Sequence, residues 1–377
     1  MTATESTRST PIFVGIDVHK ESISVAALRG WDPEFHDEAR MPNDMVKVRR
    51  YFIRLRRGGP VRACYEAGGC GYVLERELAK LGVECEVIAP SLIPKPRGAR
   101  VKTDRRDARM LARLFRSGDL TPIHVPSEAE ESLRELVRLR DTVRREVHRS
   151  KQYVLKLLQR HDLRCSHRSW TVSFWKWLRG LELSGFTGEV LGHHLALLDA
   201  KLLQLAAVDA RLEAVWQQDD RLRGPVSRLR CLRGIDTLSA LVLATEVVDV
   251  RRFPTARHMM SWVGLGVSES SSGEEQRRGG ITKAGNGQCR RILIEAAWHA
   301  RHRPAVNKSL AQRQADQDPL VVAHARRAMH RLHKRSRSLG LRKDGKTTVV
   351  AVARELVGFV WALLHEDPAL LIAPRRR

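Results

Sequence analysis

The sequence predicts an α/β layer domain at its N-terminal end and a helical remainder. Two observations carry this. Over residues 12–122, short apolar runs alternate with turn signals and amphipathic stretches. Beyond residue 126, apolar residues recur at threes and fours over spans too long for strands.

In the first region, Ile12–Val18 and Ser22–Leu28 read as strands about a tight turn, and Glu34–Met41 as a weaker extended stretch. A basic helix follows over about Asn43–Arg57. Val61–Glu66 is a strand, Val73–Leu81 a helix, and Glu84–Ala89 a strand closed by Pro90. Helical spacing resumes over Asp104–Ser117. Three strands, then helix, strand, helix, strand and helix describe a mixed sheet covered by helices, a domain spanning 10–122.

Residues 126–216 carry two leucine and valine series. Leu136, Leu139, Val143, Val147, Val154 and Leu158 form the first, with Ser150 in its one gap. Leu195, Leu198, Leu202, Leu205, Val208, Leu212 and Val215 form the second. Both fit long helices pairing as an antiparallel hairpin or coiled coil. Trp170, Trp175 and Trp177 between them mark a break or a packing knot. Residues 224–373 read as a mainly helical third region with a Gly-rich interruption at 264–287 and a second basic block from Arg326 to Lys346.

Composition narrows the partners. The 377-residue chain has 67 Lys and Arg against 43 Asp and Glu, a formal net charge of +24. Such an imbalance repels itself unless a polyanion is the partner, and nucleic acid is the first candidate. The chain offers neither a long uninterrupted apolar run nor a basic amphipathic terminus, so no membrane partner is expected. The opening MTATESTRST has no apolar signal core, and the six cysteines show no CxxC pair, so a reducing cytoplasm is expected. Any metal must then be held by carboxylates. The first long helix concentrates cations, among them Arg138, Arg145 and Arg149, with few acids beside them. One-signed charge of this kind favours nucleic-acid contact over a plain solvated face.

Four acids sit where strands end or a helix begins: Asp17 in FVGIDVHK, Glu66 in ACYEAGG, and Asp104 and Asp107 in KTDRRDARMLARL. Taken singly, Asp104 reads as a helix N-cap, Asp107 as a first-turn surface acid and Glu66 as a strand end. Jointly, clustered carboxylates repel unless divalent cations neutralise them, and hard oxygen ligands suit Mg²⁺ or Mn²⁺. Two such ions about 4 Å apart can clamp the attacking and leaving oxygens of a phosphodiester. Lys102, Arg105 and Arg106 would hold the scissile strand. His19 and Lys20 adjoin Asp17 and could approach the site, though a surface turn is their expected role.

These blocks, GIDVHKESISVA, CYEAGGCGY and KTDRRDARMLARL, resemble the DEDD motifs of the IS-110 insertion-sequence transposases and the related Piv invertases. The resemblance implies a RuvC and RNase H-like fold for the first domain, with Asp17, Glu66, Asp104 and Asp107 as the metal-binding catalytic set. Downstream, VSESSSGEEQRRGGITKAGN is similar to the family's C-terminal transposase block, in which the serine before the glycine is the nucleophile. By that correspondence it is Ser272, with Ser270 and Ser271 as neighbouring registers; Val267 stands near the family's usual proline. Arg277, Arg278, Lys283, Arg290 and Arg291 surround the block and could stabilise charge on a phosphate. The family further implies a covalent phosphoserine–DNA intermediate, a dimer or tetramer with composite sites, and in some members guidance by a bridge RNA. It also implies a prokaryotic, nucleoid-associated enzyme acting on donor and target DNA.

Just before that block, CLRGIDTLSALVLATEV is similar to a helix–hairpin–helix with Arg233-Gly234-Ile235-Asp236 at its turn; a plain packing corner reads equally well. Three rivals to a transposase remain: a junction nuclease using water, a non-catalytic nucleic-acid-binding protein, and an actin-type ATPase. The last lacks a second phosphate loop.

Overall fold

The computed structural model describes residues 10–94, 103–269, 275 and 277–372. The chain forms two compact units, Met1–Pro126 and Ser127–Arg377.

In the first unit, five strands form one sheet in the order β3-β2-β1-β4-β5. They are β1 (Ile12–Val18), β2 (Ser22–Arg29), β3 (Phe35–Pro42), β4 (Val61–Glu66) and β5 (Glu84–Ile88). The first three pair antiparallel, and β4 and β5 run parallel to β1. Alternation along β1 divides its side chains between two faces. Ile12, Val14 and Ile16 pack in one core with Val48, Phe52 and Leu55 of α1 (Met45–Arg56) and Leu74 and Leu78 of α2 (Val73–Lys80). Phe13, with Cys64 of β4, lies on the other face beside Leu111 and Phe115 of α3 (Asp104–Ser117).

Helix α3 lies unusually close to β1. A Cβ at Gly15 would stand 2.2 Å from the Ala108 carbonyl oxygen and 2.3 Å from the Ala112 nitrogen. Glycine on the strand and alanines on the helix let the two backbones touch. Thr103 caps α3 by accepting from the Arg106 N–H, and Gly118 in the left-handed region ends it. Asp104 is therefore the first helical residue and not the cap, which leaves its carboxylate for other work.

The second unit opens with α4 (Glu128–Arg160), begun by a Ser127–Glu130 capping box. The short α5 (Val172–Arg179) leads to α6 (Gly185–Gln218). Helices α4 and α6 run antiparallel: Arg140 pairs with Asp209, and further along Tyr153 stacks on His194. The tryptophans form a packing knot, with Trp170 edge-on to Phe174 and Trp175 beside a core of Val154, Leu158, Leu178 and Leu191. Within the first series Leu139 points outward, 43% exposed, and Val137 takes its place in the core.

Further on come α7 (Asp220–Leu229), α8 (Thr237–Val247), α9 (Ala256–Trp262), β6 (Val267–Glu269), β7 (Arg278–Ile281) and α10 (Gly287–Ala297). The chain continues through α11 (Lys308–Gln314), α12 (Pro319–Gly340), α13 (Gly345–Leu364) and α14 (Pro368–Ile372). Their core includes Val137 of α4 and Leu212 and Trp216 of α6. The regions expected at 126–216 and 224–373 thus share one core within a single unit. Helix α13 is long and apolar enough to cross a membrane, but two thirds of its apolar window is buried in this core.

Candidate active site

The site in the first unit grows out of strand register. Asp17 pairs with Ser24 and Ser24 with Arg40. Glu66 follows the last registered pair, Ile16 with Tyr65, so it stands across from Asp17 on the parallel neighbour. Arg40, Ser24, Asp17 and Glu66 therefore form a row over four strands, on the face that carries α3. The close approach at Gly15 lays the first turn of α3 over this row.

The outcome is a cluster. Donor atoms of Asp17, His19 and Asp104 all lie within 4.8 Å of one another. The His19 Nε2 is 3.2 Å from Asp17 Oδ2 and 3.4 Å from Asp104 Oδ1, and an Arg40 nitrogen is 3.5 Å from Asp104 Oδ2. Burial pushes the Asp17 carboxyl above its ordinary range; His19 opposes this, and the charges of Asp107 and Asp104 add to it. Asp17 Oδ2 is buried and has no aligned hydrogen-bond donor, the imidazole standing at ion-pair distance only. A buried carboxylate oxygen served by one poorly aligned imidazole, with Asp104 close by and the charge of Asp107 acting on it, fits a hard divalent cation. Asp17, His19 and Asp104 thus come together; Asp107 acts on Asp17 through its charge but is not among the three groups within 4.8 Å. Glu66 shares their row but is exposed, and it is not among the three groups within 4.8 Å.

His19 is more than the surface turn expected of it. The D-x-H spacing was the available signal, since residues two apart at a strand end share a side. Arg40 and Glu38 went unremarked because their strand reads weakly. Glu38 takes hydrogen bonds from both Arg105 and Arg109, which hold its carboxyl down at about 2. Arg105 is thus half-engaged with protein. It borders a cleft of ≈ 640 Å³ lined by Ser24, Glu38, Arg40, Thr103 and Asp104, beside the acids. Arg106 is exposed, and Lys102 lies outside the described residues.

In the second unit, Ser270, Ser271 and Ser272 also lie outside the described residues. The flanking strands are described: Val267 pairs with Ile281 and Glu269 with Arg278. The ITKAGN segment fastens the base of this hairpin to α9. Thr282 N–H donates to Gly266 O, Lys283 N–H to Gly264 O and Asn286 N–H to Trp262 O. A Cβ at Gly285 would meet the Trp262 oxygen at 2.0 Å, which is why glycine stands there with φ +87°. Asn286 caps α10, its Oδ1 accepting from Cys289 N–H, while its amide donates to the buried Glu246 at 2.7 Å.

Glu246 also draws Arg138 into a two-pronged ion pair at 2.8 and 2.9 Å. Arg291 and Arg145 both reach Asp141, Arg149 pairs with Glu146, and Arg277 with Glu275. Arg290 donates to the Val263 oxygen, and Lys283 is exposed with φ +56°. The one-signed face read on α4 is therefore partly an artefact of counting along one helix, because Glu246 and Asp209 arrive from other elements. At the other turn, a Cβ on Gly234 would strike the Ala296 oxygen at 2.6 Å. That glycine faces inward as a packing corner.

An α/β sheet ending in a carboxylate cluster, joined to a helical unit with a clamped hairpin, fits the RuvC-like type of DEDD transposase. The comparisons agree. Residues 14–162 match the IS110 DEDD transposase model and residues 226–312 the model for the IS116/IS110/IS902 transposase family. A Sinorhizobium fredii protein carrying the transposase name y4qE is 38% identical over 94% of this chain and 88% of its own. The transposase for insertion sequence element IS1533 of Leptospira borgpetersenii is 34% identical over 87% of this chain and 96% of its own. The chain belongs to the IS110 family of transposases, enzymes that act on DNA, and the DEDD type suggests a divalent metal.

Proposed function

We propose that this insertion-sequence transposase cuts and rejoins DNA through a covalent protein–DNA intermediate, using the acids of the first unit and Ser272 of the second. The observation that carries the reading is the convergence of Asp17 and Asp104 within 4.8 Å, with Asp17 raised further by the charge of Asp107. Asp17, Glu66, Asp104 and Asp107 would hold Mg²⁺ or Mn²⁺. Bound there, the ion supplies charge neutralisation at the scissile phosphate. Arg40 and Arg105 border the cleft beside the acids and orient the strand.

The Ser272 hydroxyl attacks phosphorus: an Oγ–P bond forms and one bridging P–O bond breaks. The proton lost by the serine balances the one gained by the displaced deoxyribose oxygen. Attack by a DNA hydroxyl on the phosphoserine reverses the exchange, so bond energy is kept for joining. Arg277, Arg278, Lys283, Arg290 and Arg291 follow the serine in sequence and would serve the developing phosphate charge. Arg138, Arg145 and Arg149 on α4, together with Lys102 and Arg106, add nucleic-acid contact.

The working form is a dimer or tetramer in which one protomer's serine serves its partner's acids. Support comes from α6, whose most exposed positions from Val190 to Ala210, including Leu197 and Leu203, are uncharged, while Asp199 and Asp209 in that stretch are paired with Arg179 and Arg140. Such a face suits a coiled-coil contact with a second copy. A bridge RNA pairing with donor and target DNA is part of the reading through family membership; cutting and joining by protein purified free of RNA refutes that part.

The chemistry is tested by denaturing gels of protein on nicked DNA. Wild type and Ser271→Ala should leave a protein–DNA adduct that Ser272→Ala does not. Full strand cleavage without any adduct would instead mark a water-using junction nuclease. A non-catalytic protein would bind DNA and do neither.

A further inference from the structure

We infer that the outward face of α12 is a second docking surface, for the backbone of duplex DNA outside the scissile site. It rests on DNA being the substrate and not on the chemistry proposed above. From Arg326 to Lys346 the chain has nine Lys or Arg and one acid, Asp344, which is spent on capping α13 through the Lys346 and Thr347 N–H groups. The buried stripe of α12 is Val321, Ala325, Ala328, Met329 and Leu332. At about 100° per residue, Arg326, His330, Lys334 and Arg337 fall within roughly 80° of one another on the opposite face. All four are exposed.

What separates this face from α4 is the state of its charges. On α4, Arg138, Arg140, Arg145 and Arg149 each have an acid. On α12, Glu355 takes Arg331 and stands 4.0 Å from Arg335, while Arg327 donates to the Leu371 oxygen. Among the described residues, Arg326, Lys334, Arg337, Arg342, Lys343 and Lys346 make no ion pair. Six uncompensated cations along and just beyond one rigid helix repel one another, which costs stability unless a polyanion binds. From Arg326 to Arg337 the stripe runs roughly 16 Å, at about 1.5 Å per residue. Duplex DNA offers one phosphate charge per ~1.7 Å of axis over that length. Cations spread along a helix face in this way match the spacing of phosphates, contacts that position a duplex and carry no sequence information. The surface therefore supplies sequence-independent affinity beside the chemistry. It lies outside both matched family segments, 14–162 and 226–312.

The test is the salt dependence of full-length protein binding a DNA duplex of arbitrary sequence. The variant carries Arg326→Ala, Lys334→Ala, Arg337→Ala and Lys343→Ala. It should bind at least about tenfold more weakly near 0.1 M salt, with the log–log slope shallower by about three to four, at roughly 0.9 per lost contact. In the otherwise unchanged protein, Arg326→Lys with Arg337→Lys should keep wild-type behaviour. A slope within one unit of wild type overturns the inference, and so does a loss confined to an RNA duplex. A second measurement needs no variant: bound DNA should protect the Lys334 and Lys343 amines from acylation in the wild-type protein, and undiminished labelling rejects the surface. Made in an Asp104→Asn protein, with that protein's own slope as reference, the four α12 substitutions should give the same slope change, so failure here and failure of the proposed chemistry appear separately.

Discussion

Asp17 illustrates how a reactive residue is kept at a cost to the fold. Its carboxylate is drawn under α3 beside Asp104, with the charge of Asp107 also acting on it and only a poorly aligned imidazole at one oxygen. An amide in its place removes the repulsion, so Asp17→Asn should raise stability in metal-free buffer by about 1 kcal/mol. It should also abolish the rise in thermal midpoint that Mg²⁺ gives the wild type, and lower strand cleavage by roughly a hundredfold or more. Scanning calorimetry with and without Mg²⁺ checks both signs; a destabilised variant that still responds to Mg²⁺ contradicts the assignment. Glu38 behaves in the opposite sense. Arg105 and Arg109 hold its carboxyl from an ordinary 4.5 down to about 2, so it contributes stability above pH 4.5 that fades as pH falls through 2. Glu38→Gln should therefore cost about 1–2 kcal/mol at neutral pH, discounted for its partly solvated position, and the difference should shrink steadily below pH 4. Urea titrations at neutral pH and at pH 3 decide; an equal penalty at both would show that packing and not charge holds β3 to α3.

At the scale of elements, the contact between β1 and α3 governs whether the acids meet. Gly15→Ala puts a methyl group into the Ala108 carbonyl and the Ala112 nitrogen, atoms of helix backbone that cannot rotate aside. Separation of strand and helix should cost about 1–3 kcal/mol and move Asp104 and Asp107 off Asp17. Loss of Mg²⁺-dependent stabilisation with the sheet intact by circular dichroism is the expected result, and retained Mg²⁺ response would dismiss the tight contact as incidental. The strand bounds Ile12–Val18 and Val61–Glu66 could be read directly from their apolar runs, because buried strands announce themselves by composition. Which acids cluster was readable only in part. Asp17 and Asp104 followed from strand-end and helix-start positions, while Arg40 and Glu38 sit on a half-exposed strand with little apolar signal. The ion pairs of α4 with Glu246 and Asp209 span 108 and 69 residues, so no local charge count could reveal them. Nor could periodicity show that α4 and α6 share a core with α8 and α13, since an apolar stripe does not name its partner.

For the molecule as a whole, the question is which protomer lends the serine. Acids and serine belong to separate compact units, so the chain's connectivity does not oblige them to meet within one copy. The exposed leucines of α6, Leu197 and Leu203, would give copies a reason to associate despite a net charge of +24, since apolar burial is insensitive to the repulsion between distant, screened cations. Under the composite arrangement, Asp104→Asn and Ser272→Ala proteins are each inactive alone. A mixed oligomer still contains one intact pairing: acids from the Ser272→Ala subunit and serine from the Asp104→Asn subunit. Covalent attachment of DNA should then reappear on mixing, and only on the subunit bearing Asp104→Asn, which a size tag identifies on a denaturing gel. If each protomer instead uses its own serine, every site in the mixture carries one defect and no adduct forms. Introducing charge with Leu197→Glu and Leu203→Glu should suppress the recovered adduct by blocking assembly, while each subunit still folds, because both side chains already face solvent.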